Sequence, residues 1–357
     1  MAQDSTSPVK TTKALDDYVL LGHSGLRVSP LCLGALTFGE QRGLGANKEE
    51  SKKVFDLYYE KGGNFIDTAC SYNLGEVINN TTVQKERRFN PNFGGNHRKS
   101  LVENLDGSLK RLNMSYVDIL YVHVYEYRTP IEEFMRSLDD VVRSGKVLYV
   151  AVSDIPSWAL SRANTMAELR GWSPFIGLQT RYNLLDRSLE FDLQPACAEL
   201  GVGILPWSIV ADGFLTGKYK RETNINLKSD YRNRSIINYS KDEKNWQILD
   251  EVIAISKEIN RSPVQIALNW IQQKPGITSP LIGARTVAQL EENLKSLEFK
   301  LTPEQMKRLD DVSQPTGREV PFPYSITDSF DVFIGKNIQV PNKFAPIATT
   351  YNYGRLY

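Results

Sequence analysis

The chain has 357 residues, of which 41% are hydrophobic and 24% charged, and its formal net charge is +1. That length and balance suit one α/β barrel with a sizeable core, and the near-neutral charge points neither to nucleic acid nor to a membrane surface. The opening "MAQDSTSPVKTTKALDD" has no apolar stretch to serve as a secretory signal, and no run reaches the length of a membrane helix.

Residues 1–16 read as a disordered polar tail. Next, "YVLLGHSGLRVSPLCLGA" reads as a hairpin and then a buried strand. "NKEESKKVFDLYYEKGG" has helical spacing, with Val54, Leu57 and Tyr58 on one face and Gly62-Gly63 as the stop. "NFIDTA" is a short apolar strand. "RKSLVENLDGSLKRLN" places Leu101, Leu105, Leu109 and Leu112 along one helical face, and "VDILYVHV" follows as a buried strand. "TPIEEFMRSLDDVVRSGKV" opens with Thr129, Pro130 and Glu132, which satisfy cap, first-turn and capping-box preferences. "LYVAVSD", "FIGLQT", "VGILPWS" and "SPLIGA" read as further strands. The helices between and after them are "PSWALSRANTMAELRG", "SLEFDLQPACAELG", "EKNWQILDEVIAISKEIN", "SPVQIALNWIQQKPG", "TVAQLEENLKSL" and "TPEQMKRLDDVS".

Short apolar strands alternating with amphipathic helices predict a parallel sheet covered by helices. If "TTVQK" supplies one strand the count reaches eight, which predicts an α/β fold of the (β/α)8 TIM-barrel type preceded by a short hairpin. An open doubly wound sheet binding a dinucleotide should carry GxGxxG after an early strand, and none occurs. Cys32, Cys70 and Cys197 lack metal-ligand spacing and read as reduced thiols of an intracellular, cytoplasmic protein. The three histidines are scattered, so no metal is expected.

In such a barrel, chemistry belongs at the C-terminal strand ends. Asp67 closes "NFID", His123 closes "ILYVH", and Ser153 and Asp154 close "LYVAVSD". Gln179 closes "IGLQ", Trp207 and Ser208 close "ILPWS", Gly283 and Arg285 follow "PLI", and Lys85 would close "TTVQK". Singly, each has a plain structural explanation; together they line one mouth. Tyrosine is a poor acid near neutrality, with a pKa of about 10, and a neighbouring ammonium lowers that value. Asp67, Tyr72, Lys85 and His123 therefore compose a proton-delivery group for carbonyl reduction. No side chain supplies hydride, so a nicotinamide cofactor is required. Trp207 would stack on the nicotinamide, and Ser153, Asp154 and Gln179 could hydrogen-bond its amide.

These residues resemble the aldo-keto reductase superfamily over about Tyr18 to Ser313. The motifs that carry the resemblance are "GGNFIDTACSYNLGE", "GGNHRKSLVENLDGSLKRLNMSYVDILYVHVYE", "GKVLYVAVSD", "LQTRYNLLDR" and "GARTVAQLEENL". The nearest branch in look contains aryl-alcohol dehydrogenase-like enzymes and potassium-channel beta subunits. The resemblance implies a (β/α)8 barrel holding NADP(H) in extended form, with Tyr72 as proton donor, Asp67 and Lys85 as its tuners and His123 orienting substrate. It also implies adenosine-side contacts from Gly283, Arg285, Gln289 and Asn293, with Leu215, Gly217 and Lys218 along the pyrophosphate.

The family usually follows its tyrosine with "GxSE", a helix, and a strand ending "ATK". Here "YNLGEV" lacks the "SE", and only eighteen steps separate Asp67 from Lys85. A complete βαβ unit needs about thirty residues. The second barrel helix is therefore expected to be largely missing. Residues 73–80, fully extended, reach roughly 26 Å, enough to return along a strand of about 17 Å. Either "TTVQK" remains a strand with Lys85 at the site, the reading adopted, or it is a loop with Lys85 on the surface.

"RRFNPNFGGNHRK" is a basic loop without the aromatic ladder of a nucleic-acid groove. The polar run after "DGFLTGKY" reads as a flap over cofactor. The expected organisation is a barrel over residues 17–315 and a C-terminal extension over 316–357. The expected activity is NADPH-dependent reduction of aldehydes or ketones, or the reverse oxidation of aryl alcohols. A weakly active or inactive NADP(H)-binding regulatory barrel acting through protein partners is the alternative. Partners are a small carbonyl or alcohol substrate, no nucleic acid and no membrane, in a monomer or weak homo-oligomer.

Overall fold

The computed structural model describes residues 12–40, 45–69, 72, 92, 94–221, 232–324, 341–344 and 347. A hairpin of β1 (Val19–Leu20) and β2 (Arg27–Val28) comes first. The barrel strands follow: β3 (Cys32–Gly34), β4 (Ile66–Asp67), β5 (Val117–Val122), β6 (Val147–Ser153), β7 (Phe175–Arg181), β8 (Gly203–Trp207) and β9 (Leu281–Ile282). β4, β3 and β9 pair in parallel in that order, as do β5, β6, β7 and β8. The two arcs meet just before β9, where Ile277 bridges Ile204 in parallel and Thr278 N donates to Ile204 O at 2.8 Å. Among the described residues the arc thus runs from β4 round to β5. The expected second helix and the "TTVQK" strand fall between these two in sequence, outside the described residues.

Among the described residues ten α-helices pack outside: α1 (Lys48–Glu60), α2 (Arg98–Leu112), α3 (Ile131–Arg143), α4 (Ser157–Arg170), α5 (Leu193–Leu200), α6 (Arg232–Tyr239), α7 (Glu243–Glu258), α8 (Pro263–Gln272), α9 (Val287–Leu294) and α10 (Pro303–Ser313). Their starts are written in the sequence. The Ser262 side chain accepts from Gln265 N while Gln265 reaches back to the Ser262 N–H, and Thr302 and Gln305 repeat the arrangement. Proline at the first helical position costs neither helix a bond, because that N–H has no intrahelical partner.

The same reading fails for α3. Its cap position is Pro130, without a side-chain bond, because the Thr129 hydroxyl donates instead to Glu126. Glu126 also accepts from Arg128 N at 3.1 Å, so a carboxylate-centred turn replaces the expected capping box. The expected helix over "SLEFDLQPACAELG" is also divided. A 3₁₀ turn at Ser188–Glu190 is separated from α5 by Phe191 and Asp192, and Asp192, with φ −137° and ψ −39°, leaves helical geometry.

α3 buries Ile131, Phe134, Met135 and Leu138, each contributing about 1.5–3 kcal/mol on removal from water. The hairpin closes the N-terminal end of the barrel, where Leu21 packs with Cys32, Phe65, Ile176 and Leu205. Gly22 has φ +56°, and a Cβ there would lie 2.3 Å from Ile176 O. The hairpin therefore presses its backbone onto the barrel floor, and only glycine fits.

Within the expected tail, Lys13 N donates to Leu297 O at 2.8 Å and Leu15 is buried. Attachment to the barrel thus begins before Asp17, earlier than the sequence reading placed it. Of the C-terminal extension, the Tyr324 ring lies 5.6 Å from Phe191, while most of residues 325–357 fall outside the described residues. No helix among the described residues is long and apolar enough to cross a membrane.

Candidate active site

Parallel register brings the strand ends to one level. Gly34 stands opposite Asp67, Ser153 opposite Gln179, and Arg181 opposite Trp207. The short β4 ends on Asp67, whose Oδ1 accepts from Gln179 Nε2 at 2.9 Å. That bond spans 112 positions of sequence and fixes the carboxylate across the rim. The Tyr72 hydroxyl stands 3.5 Å from Asp67 Oδ2, and its ring meets the His123 ring edge-on, with centroids 6.0 Å apart. Asp67, Tyr72, His123 and Gln179 therefore converge. Lys85 and Cys70 lie outside the described residues.

The electrostatics favour a protonated phenol. Burial raises the Asp67 pKa, while the Gln179 bond, the His123 charge and Tyr72 pull it back only in part. Burial and then the Asp67 charge push the Tyr72 phenol well above its ordinary range. The site thus holds a phenol that keeps its proton beside a carboxylate whose charge burial disfavours.

Two further residues beside the site were not singled out by sequence. Tyr121 points its hydroxyl into the barrel, buried and without a hydrogen-bond partner among the described residues, with burial and the nearby Cys32 and Asp67 raising its pKa. It precedes His123 by two positions, so strand alternation alone places both side chains on the inner face. Thr68 Oγ1 is likewise buried and unpartnered among the described residues.

Across the mouth, Trp207 Nε1 donates to Asp154 Oδ1 at 3.3 Å. Both line a cavity with Thr180, Arg181, Asp186 and Ser188. Asp154 and Ser208 hold left-handed backbone, φ 46° and 58°, as polar residues at functional turns often do. Ser208 Oγ is buried with no partner among the described residues, while its carbonyl accepts from Asn183 Nδ2 at 2.9 Å. Ser153 is buried beside Gln179. This orphaned hydroxyl, the indole plane and the acceptors around them fit a planar amide-bearing ring.

The remaining sequence candidates lie further round the same rim. Leu215 is buried in a 3₁₀ segment, Ala211–Thr216, that ends on Gly217 with φ 78°. Lys218 follows, its ammonium 4.8 Å from the Tyr219 ring centroid. After β9, Gly283 O accepts from Asn293 Nδ2 at 3.1 Å, and Arg285 N donates to Gln289 Oε1 at 2.9 Å. Asn293 and Gln289 are thus engaged in shaping the turn that leads into α9. Lys218 and Arg285 supply positive charge suited to a phosphate-bearing ligand. Among the described residues no three His, Cys, Asp or Glu side chains gather as a metal site.

The rim of this α/β barrel joins a tyrosine, an aspartate and a histidine. The aldo/keto reductase family model matches residues 30–314, most of the chain. A norsolorinic acid reductase of Aspergillus flavus is 31% identical, covering 86% of this chain and 83% of the relative. A putative aryl-alcohol dehydrogenase of Saccharomyces cerevisiae is 32% identical, covering 93% of each. An aryl-alcohol dehydrogenase [NADP(+)] of Phanerodontia chrysosporium is 33% identical, covering 80% of this chain and 83% of the relative. The chain belongs to the aldo/keto reductase family, whose fold is the (β/α)8 barrel. The regulatory alternative finds no support among these relatives.

Proposed function

We propose that the protein is an NADPH-dependent oxidoreductase that reduces aldehydes or ketones to alcohols and, in reverse, oxidises aryl alcohols. The observation that carries this reading is the Tyr72 hydroxyl 3.5 Å from Asp67, with the His123 ring edge-on to the phenol. The nicotinamide, when bound, supplies the hydride that no side chain can. Tyr72 gives its proton to the carbonyl oxygen as negative charge develops there, since an alkoxide is more basic than a phenolate. His123 orients that oxygen. Gln179 holds Asp67 in place, and Lys85 is assigned the role of lowering the phenol's pKa toward the working range. Lys218 and Arg285 take the phosphates, with a 2′-phosphate suited to their charge.

Aromatic substrates suit the outer mouth. Tyr125, Tyr127 and Trp158 form a cluster with centroid separations of 5.2, 5.9 and 6.4 Å. Tyr125 lies two residues beyond His123, and Tyr127 and Trp158 are largely exposed. The reading is tested by following NADPH absorbance with a panel of aryl and aliphatic aldehydes. Oxidation that depends on aldehyde is expected; its absence across the panel, with NADPH demonstrably bound, contradicts the enzymatic reading.

A further inference from the structure

We propose that Asp154 sets the redox poise of the bound nicotinamide couple, favouring its oxidised form by holding a carboxylate at the ring's seat. This rests on the reading above that the ring sits against Trp207.

The Asp154 carboxylate is held by the Trp207 indole N–H at 3.3 Å, and its own backbone N–H donates to Gln179 O at 3.1 Å. The left-handed φ of 46° aims this residue into the cavity it shares with Trp207 and Thr180. The groups facing it are His123 just after β5, Thr180 and Arg181 from β7 and the Tyr72 phenol. Arg181 is half exposed, lies 6.0 Å from the Trp207 ring centroid and is paired with Asp186 at 2.7 Å, which weakens its pull on Asp154. Burial pushes the Asp154 carboxyl upward, and the indole bond, His123 and Arg181 pull it back.

Carbonyl reduction moves two electrons as hydride to the carbonyl carbon and one proton to its oxygen. The nicotinamide ring, neutral before, is left with one positive charge. A fixed carboxylate lowers the energy of that cation and leaves the neutral form nearly untouched. The sign is therefore definite: Asp154 tightens NADP⁺ relative to NADPH and draws the on-enzyme equilibrium toward alcohol formation. In the ligand-free chain more than a third of Asp154 reaches solvent, which screens it; a bound ring displaces some of that solvent.

The test is equilibrium binding of NADP⁺ and of NADPH, each by tryptophan quenching at pH 8, to the wild type, Asp154→Asn and Asp154→Ser. Asparagine keeps the shape and an acceptor but removes the charge. The ratio of NADPH to NADP⁺ dissociation constants is expected to fall about 3- to 10-fold in both variants, mainly by weaker NADP⁺ binding. A tenfold change corresponds to about 30 mV in the bound couple. A wild type that binds neither nucleotide overturns the cofactor reading itself. A wild type that binds both, with variants whose two constants move together or not at all, overturns the inference alone. The serine variant carries the comparison if the asparagine variant fails to fold.

Discussion

Two carboxylates, the half-buried Asp67 and the fully buried Glu190, show how differently one barrel treats charge. Glu190 lies behind the rim, fully buried, between both ends of the Arg187 guanidinium at 2.8 Å and 2.8 Å. It also accepts from the Tyr182 hydroxyl, with Lys274 at 3.9 Å. Burial pushes its pKa up, but the Arg187 charge and bonds outweigh that, and the carboxyl sits below the ordinary range. Arg187 Nη1 reaches Asp310 O at 2.9 Å, and Lys274 Nζ reaches Asp310 Oδ1 at 3.0 Å. The cluster ties the turn after β7 to the end of α8 and to α10. Asp67, on the rim, is pushed the other way. The cluster behind the site compensates its charge and holds position; the carboxylate in the site is left under electrostatic stress beside a phenol.

The contrast can be broken at several points. The largest effect is expected from Tyr72→Phe, which removes the proton donor and keeps the ring: aldehyde turnover should fall about 10²- to 10⁴-fold with NADPH affinity preserved. Steady-state kinetics beside a binding titration check it. Glu190→Gln comes next. It leaves the Arg187 guanidinium buried without the carboxylate that pairs it, while Lys274 keeps Asp310, and should cost about 3–5 kcal/mol, read as a lower urea midpoint with an unchanged slope.

Asp67→Asn should behave oppositely for stability. Because the folded pKa of Asp67 is raised, the native state binds more protons than the unfolded chain between the ordinary aspartate pKa and the raised value. Its contribution to stability therefore falls as pH rises through that window. The asparagine variant should be as stable as wild type or more so at pH 7, and this difference should vanish in acid. The depressed pKa of Glu190 gives the reverse: its stabilisation is present at pH 7 and is lost as pH falls below the ordinary glutamate range. Urea midpoints from pH 3 to pH 8 on both variants separate the two signs. The smallest effect is expected from Trp158→Ala, a several-fold rise in KM for aryl aldehydes with little change for aliphatic ones. Equal changes for both would remove the aromatic cluster from substrate recognition.

What could be read from sequence followed from local pattern. Strand alternation placed Asp67, His123, Gln179 and Trp207 on one rim because each ends a short apolar run. The Ser262 and Thr302 caps were legible because both partners lie within three residues. Thr129 offered the same pattern and misled, since Glu126, three residues upstream, takes its hydroxyl. Contacts that join distant segments carry no local trace. The Gln179–Asp67 bond, the Arg187–Glu190 pair's links to Lys274 and Asp310, and the Tyr125–Trp158 ring contact are of this kind. Tyr121 was within reach of the alternation argument, two residues before His123, but an apolar run hides a tyrosine that points inward.

The account rests on hydride reaching a carbonyl carbon while Tyr72 supplies the proton. The most direct measurement incubates the enzyme with an aryl aldehyde and NADPH carrying deuterium at both C4 positions of the nicotinamide, then weighs the product alcohol by mass spectrometry. Wild type should yield alcohol carrying one deuterium on the carbinol carbon, and Tyr72→Phe should form it at least about 100-fold more slowly. Alcohol without deuterium, or equal rates from the two proteins, would contradict it.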